Sequence, residues 1–333
     1  MPPMASPPTI HWIVPFAASL SEPCQHALTQ WARHASCPHL EILLSQLSIQ
    51  ARLEGEEFDL LMPHEKLLGR HWGWPDDQAP WALWWAKQDG LSLDTHRPWG
   101  LLSPCHWLMG RDHLTLLDPQ ALNLTEAESK QLLEAIRPLF ESEGWTVVWG
   151  HPLRWYVSHP SLADLPAASL DRVIGRNPDL WLTDHPQARL LRRLQSEVQM
   201  TLYQHPAYDE RQARGELAVN SFWLSGCGAL PEKAQLRSET QDLQLVTTLR
   251  HAMLSDDMVA WMEAWNKLDA TVLKEIAQRM QDGQTVALTL CGDRHAVTWS
   301  NAQRPSPLQQ ALRTIRAWVS RPTLLAPTAL QDL

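Results

Sequence analysis

Short apolar runs with strand character recur along this chain between stretches whose apolar residues fall at helical spacing, and few architectures accept that order. Residues 10–14 are β-prone and are cut off by Pro15, which leads into Phe16, Ala17, Ala18 and Ser19. Residues 218–224 and 286–290 read the same way. Residues 146–149 and 153–158 flank Gly150-His151-Pro152 as a hairpin or strand pair. Between these lie candidate helices over 23–35 and 81–88, and a clearer one opening at Thr125. There Glu128 completes a Thr-x-x-Glu capping box, and Leu132, Ile136, Leu139 and Phe140 line one face. Leu191, Leu194, Val198 and Leu202 mark a helix over 186–204, and Trp261, Trp265, Leu268, Val272, Ile276 and Met280 mark another, ended by Gly283. Residues 205–215 read as a loop, and Ser225-Gly226-Cys227-Gly228 as a small-residue turn. The pattern predicts an α/β sheet flanked by helices, whose ligands bind beyond the carboxyl ends of the strands.

Several functional classes are disfavoured at once. The formal charge is −9 and no run of Lys or Arg could track a phosphate backbone, so a nucleic-acid partner is not expected. No apolar stretch approaches the ~20 residues needed to cross a bilayer. The N-terminus, interrupted by His11, Pro15, Ser21 and Glu22, does not read as a signal peptide, so the expected location is the cytoplasm. Cys24, Cys37, Cys105, Cys227 and Cys291 are odd in number and contain no Cys-x-x-Cys pair, which argues against a disulfide framework or a zinc ribbon. Tryptophan dominates the aromatics, with 18 Trp against 3 Tyr and 4 Phe. Either Trp fills core positions, or Trp72, Trp74, Trp81, Trp84 and Trp85 form an exposed interaction face.

Two constellations could carry chemistry. Asp293 and His295 follow the 286–290 strand and could offer a carboxylate and an imidazole to a metal, although two ligands fall short of a hydrolytic centre. The other reading is a surface loop that happens to hold a histidine. His205, Arg211, Arg214 and Asn220, with Gly226 and Gly228 behind them, form the densest polar cluster and would suit a phosphate or carboxylate. These arginines could equally form structural ion pairs with Asp209 or Glu210. Cys227 and Cys291 could be reactive thiols, but buried cysteine is the commoner state. Neither Gly-x-Ser-x-Gly nor Gly-x-Gly-x-x-Gly occurs.

The block His205-Pro206-Ala207-Tyr208-Asp209-Glu210-Arg211, then Gly215, then the run from Val219 and Asn220 to Pro231, resembles a block in archaeal-type cofactor-independent phosphoglycerate mutases. It is closer still to the RpfE-type regulatory proteins of proteobacteria. Leu124 to Glu128, Pro152 to Tyr156 and Leu288 to His295 fit in the same order. The resemblance implies an alkaline-phosphatase-like α/β scaffold with a mixed or parallel sheet. It further implies a core made of residues 10–100 and 236–322 and an inserted α/β lobe over 101–235, while the ends, Pro-rich at the start, read as flexible over 1–9 and 323–333.

Departures from the mutase pattern shape the functional expectation. Where the mutases have a metal-binding Asp after an early strand, this chain has Pro15-Phe16-Ala17-Ala18, and where their serine nucleophile would fall it has Gln78-Ala79-Pro80-Trp81. Loss of these groups would remove the phosphoenzyme route and the two-metal clamp. The expectation is a catalytically degenerate bacterial relative that senses a ligand or binds a protein partner and needs no cofactor. On the resemblance, Arg154, His205, Arg211 and Asn220 would receive a small anion, with Asp293 and His295 as residual metal candidates. The alternatives are an active mutase or phosphohydrolase using a divalent metal such as Mn or Zn, and a structural partner with a Trp-rich surface.

Overall fold

A computed structural model describes residues 10–31, 35–76, 79–111, 113–232, 234, 236, 242–302, 325–331 and 333. Eleven strands are present among them: β1 (Ile10–Val14), β2 (Ser48–Leu53), β3 (Trp99–Cys105), β4 (Trp107–Met109), β5 (Leu114–Leu116), β6 (Thr146–His151), β7 (Arg154–Ser158), β8 (Ser221–Gly228), β9 (Leu243–Leu245), β10 (Val286–Cys291) and β11 (Ala296–Ser300). The chain divides into two compact units, one of residues 1–57 with 239–333 and one of residues 58–238. The first break thus falls between Glu57 and Phe58, well before the 100/101 boundary that the sequence suggests.

The first unit is built on a mixed five-stranded sheet in the order β2-β11-β10-β1-β9. β1 runs parallel to both β10 and β9, while β11 pairs antiparallel with β10 and β2. A strand enclosed by parallel neighbours reads as a continuous apolar run, and Trp12, Ile13 and Val14 in β1 are fully buried, as is all of β10. The one polar side chain on the inner stretch of β10, Thr289, is satisfied within the sheet by His11 Nε2 at 2.6 Å and by Thr298 Oγ1 at 2.7 Å. The helix Met258–Leu268 continues through a π-helical turn, Asp269–Leu273, into Lys274–Gln281. From that turn the buried Asp269 carboxylate accepts the His39 and Leu40 amides and His39 Nδ1, capping the helix Pro38–Gln46 from outside. Trp31, Trp261 and Trp265 pack edge to face beside it.

The second unit holds an antiparallel four-stranded sheet in the order β6-β7-β3-β8. Alternation along the strands gives the sheet two faces. Leu102, Trp155, Val157, Phe222 and Leu224 pack against the helices Glu126–Glu141 and Ala188–Gln204, whereas Trp99, Leu101 and Tyr156 pack against the helix Trp81–Gln88. The Thr125–Glu128 capping box forms as the sequence implies. One turn further on, the buried Ser129 hydroxyl donates to Pro152 O at 2.8 Å and accepts both the Trp155 and Trp149 indole N–H groups, at 2.9 and 3.1 Å. One hydroxyl thereby locks the β6–β7 hairpin onto the helix.

Two local expectations are overturned. Residues 206–213 form a helix, Pro206–Ala213, because His205 caps it with Nδ1 and Pro206 suits its first turn. The residues around Gly226 continue β8 as a buried strand; Gly226 stands at φ +62°, and a Cβ there would lie 2.8 Å from Trp81 Cβ and 2.9 Å from Ala82 N. The glycine lets a helix approach the strand, and no anion-binding loop is formed. The tail, expected to be flexible over 323–333, contains the helix Leu325–Gln331, whose Ala326 and Leu330 are buried. Of the expected flexible ends, residues 1–9, 323–324 and 332 lie outside the described residues. Among the described residues no helix is long and apolar enough to cross a membrane.

Replacing Ser129 with Ala should leave two indole donors without an acceptor and cost about 2 kcal/mol of stability. A urea melt should show the lower midpoint with an unchanged slope.

Candidate functional site

The carboxyl edge of the first unit's sheet is where the parallel strands β1 and β10 end side by side, with Ala17 N bonded to Cys291 O at 2.8 Å. Beyond β1 the chain is apolar: Phe16, Ala17 and Ala18 are buried, and Phe16 adopts a left-handed φ of +61°. Ser19 follows, and its hydroxyl donates to Asp293 Oδ2 at 2.7 Å, while Leu20 N reaches the same oxygen at 3.3 Å. His295, across the tight turn, accepts Gly55 N on Nδ1 at 3.3 Å. In a neutral ring that places the proton on Nε2, leaving no free lone pair for a cation. Among the described residues no group of three His, Cys, Asp or Glu side chains could hold a metal ion. The donors at this edge therefore do not fit a two-metal centre, which needs several carboxylates and imidazoles around each ion.

Cys24 and Cys291 lie near the same edge, and neither is a candidate nucleophile. Burial raises the Cys24 thiol to about 11 and pushes the Cys291 thiol up as well. In the second unit burial takes the Cys227 thiol to about 12. All remain protonated at neutral pH, so the reactive-thiol reading has no support from their surroundings.

The four residues of the anion reading sit in the second unit, each engaged with protein groups. Arg154 pairs with Asp89 through Nε at 2.9 Å and Nη2 at 2.5 Å, Tyr156 donates to the same carboxylate, and the guanidinium lies 4.8 Å from the Trp85 ring centre. Burial pushes Asp89 up, but the hydrogen bonds from Arg154 and Tyr156 outweigh it and hold the carboxyl below its ordinary range. Arg211 is 1% exposed. Its Nε donates to Leu217 O at 2.8 Å, Nη1 to Glu128 Oε1 at 3.0 Å, and Nη2 to Leu122 O. Arg214 joins it on Glu128 at 2.6 Å. Asn220 clamps the Trp107 backbone, accepting its N–H at 2.8 Å and donating to its carbonyl at 3.0 Å. His205 is the helix cap already described. These are structural contacts, with the partners Asp89 and Glu128 in place of the adjacent Asp209 and Glu210 that the sequence offered.

The Trp-rich stretch is likewise internal. Trp72, Trp74, Trp81 and Trp84 are each less than a tenth exposed and pack ring against ring, with Trp72 and Trp84 stacked 5.4 Å apart. Trp85 alone of the five is 36% exposed, and Arg154 covers its face. An exposed indole surface over 72–85 is therefore ruled out. Gln78, part of the stretch compared with the mutase nucleophile, lies outside the described residues.

A half-buried ionisable group in the second unit escaped the sequence. Glu65, at the start of the helix Pro63–His71, accepts Met62 N at 2.7 Å, near the buried Arg172, which donates to Leu61 O at 2.8 Å. Burial, helped by the Asp171 carboxylate, pushes Glu65 up to about 7 against the pull of Ser169, Met62 N and Arg172. Nothing in the local pattern marks this, because the burial comes from residues a hundred positions away.

Comparison with known proteins follows this geometry. No family model matches the chain. Over 133 residues it is 26% identical to a probable 2,3-bisphosphoglycerate-independent phosphoglycerate mutase of Geobacter sulfurreducens, a stretch covering 39% of this chain and 33% of that protein. The match thus spans about a third of the relative's length. Among solved structures, a cofactor-independent phosphoglycerate mutase from Thermoplasma acidophilum DSM 1728 aligns with a TM-score of 0.37 at 14% identity, over 90% of this chain and 92% of that one. The PH0037 protein from Pyrococcus horikoshii aligns with a TM-score of 0.46 at 10% identity, over 89% and 88%. The chain is similar in part to cofactor-independent phosphoglycerate mutases.

Because the folded-state value of Glu65 stands above its ordinary one, the stability it contributes is full below about pH 4.5 and is lost as pH rises through about 7. Urea melts should show Glu65→Gln losing less stability than the parent between pH 5 and 8, by on the order of 2–3 kcal/mol. Equal pH slopes would refute the assignment.

Proposed function

We propose that this chain is a phosphoglycerate-mutase-like protein that has exchanged catalysis for a regulatory role, sensing a ligand or binding a protein partner in the bacterial cytoplasm, as its resemblance to the RpfE-type regulatory proteins implies. On this reading its scaffold is alkaline-phosphatase-like. The observation that carries the proposal is the carboxyl edge itself. Where a metal-dependent phosphotransfer site would need a carboxylate after β1, the chain places the buried Phe16, Ala17 and Ala18, and the nearby Asp293 accepts hydrogen bonds from Ser19 and Leu20. A phosphoryl group would meet apolar walls and a carboxylate already hydrogen-bonded to the protein. Among the described residues such a setting offers no activated nucleophile and no clamp for the transferred group. The arginines do not restore one, since an anion arriving at Arg154 or Arg211 would have to displace Asp89 or Glu128.

Assays of the purified protein with 3-phosphoglycerate or p-nitrophenyl phosphate, with Mn or Zn added, should give turnover no higher than buffer with the same metals. Metal-dependent turnover abolished by Asp293→Asn would establish the active-mutase alternative instead. Thermal melts with millimolar 3-phosphoglycerate separate the two regulatory forms, because a ligand that binds the native state raises the midpoint by linkage and a protein-interaction factor shows no rise.

A further inference from the structure

The geometry points to a detachable cover on the carboxyl edge of the first unit's sheet: the helix Leu325–Gln331 together with Leu333. The main-chain oxygen of Leu333 accepts from two successive amides of the β10–β11 turn, Arg294 N at 3.4 Å and His295 N at 3.1 Å. Residue 292 must be a glycine for this seat to exist, since a Cβ there would lie 2.4 Å from the carbonyl carbon and oxygen of Leu333. The seat is the turn that follows β10, next to the exit of β1, the place where α/β sheets receive ligands. Two neighbouring amides beside a residue without a side chain would otherwise receive a carbonyl or carboxylate oxygen from outside. In this structure the chain fills that place with its own backbone.

The attachment is small enough to release. At its other end, the Leu325 and Ala326 amides donate to Glu41 Oε2 and Oε1 at 2.8 and 3.0 Å. Among the described residues of this stretch, which packs against the helices Glu22–Thr29 and Pro38–Gln46, only Ala326, Leu330 and Leu333 are fully buried. A helix of seven residues does not hold its own shape in water, so its order depends on docking, and three apolar anchors do little more than offset that ordering. β10 and β1, by contrast, are enclosed on both sides by strands. The cover should therefore open far more often than the sheet beneath it. It would shield this edge in an enzyme and in a regulator alike, so it does not rest on the functional reading above.

Hydrogen exchange followed by mass spectrometry on the full chain tests the idea. Amides of 325–331 should exchange at least tenfold faster than those of β10. Glu41→Gln, which weakens the outer attachment, and Gly292→Ala, which blocks the seat, should each speed exchange over 325–331 about fivefold or more. Both should also raise exchange at Arg294 and His295 while β1 and β10 stay as in the parent. Exchange of 325–331 at the rate of β10, or unchanged Arg294 and His295 amides in Glu41→Gln, would show an integral part of the core and overturn the proposal. Glu41→Gln lies on a partly exposed side chain and keeps the test valid if Gly292→Ala fails to fold.

Discussion

The parallel pairing of β1 with β10 brings together segments separated in sequence by the whole of the second unit, and the first unit cannot exist without it. Closing so long a loop costs little more entropy than closing one of half the length, because the cost grows only with the logarithm of loop length. What the pairing needs is a strong local reward, and the two runs supply one: Trp12, Ile13 and Val14 against Leu288, Thr289 and Leu290, all buried. The His11–Thr289–Thr298 hydrogen bonds then fix three strands by side chains as well as by backbone. A register slip would bury His11 or strand Thr289, so the polar chain specifies what the apolar runs only favour. Everything said of the carboxyl edge follows from this register, since it is what sets Ser19 against Asp293.

Much of this was legible in the sequence, for definable reasons. β1, the helix Trp81–Gln88 and the capping box at Thr125 are local objects, decided by a proline stop, an apolar stripe and a hydroxyl three residues from a carboxylate. The stripe over 261–280 was also visible, though not the π-helical turn within it, which sets the Asp269 carboxylate on a neighbouring helix. Strands β3 and β11 were hidden because their pairing partners β8 and β2 lie far away in sequence. The helix Pro206–Ala213 was missed through its histidine cap, an uncommon residue in that role, and β8 was cut short because two glycines resemble a turn until the helix they admit is in view.

The arginine cluster shows the limit of reading chemistry from composition. Arg154, Arg211 and Arg214 have the residue type and spacing of an anion site, yet their guanidinium groups are taken up by Asp89, Glu128 and Glu216 and by the carbonyls of Leu122 and Leu217. The burial of Arg211 is tolerated only when every donor finds an acceptor, because a lone buried charge costs several kcal/mol. The same demand makes the cluster poor at binding: an incoming anion competes with carboxylates already in place at ideal distance. Sequence gives the donors; only the fold gives the acceptors, and the acceptors decide between scaffold and site.

A related economy governs the carboxyl edge. Ser19 and Leu20 bond Asp293, the Gly55 amide bonds His295, and the turn amides bond Leu333, so polar groups around the strand exits are turned toward one another. In a catalytic edge, groups of this kind are held facing an open space by a supporting layer behind them, because their work is to meet a substrate. Here the hydrogen bonds run within the edge, which makes it stable in the absence of any ligand and makes access conditional on breaking contacts first. Under the cover proposed above, the seat of Leu333 is the contact that must part before the turn amides of Arg294 and His295 can meet anything else.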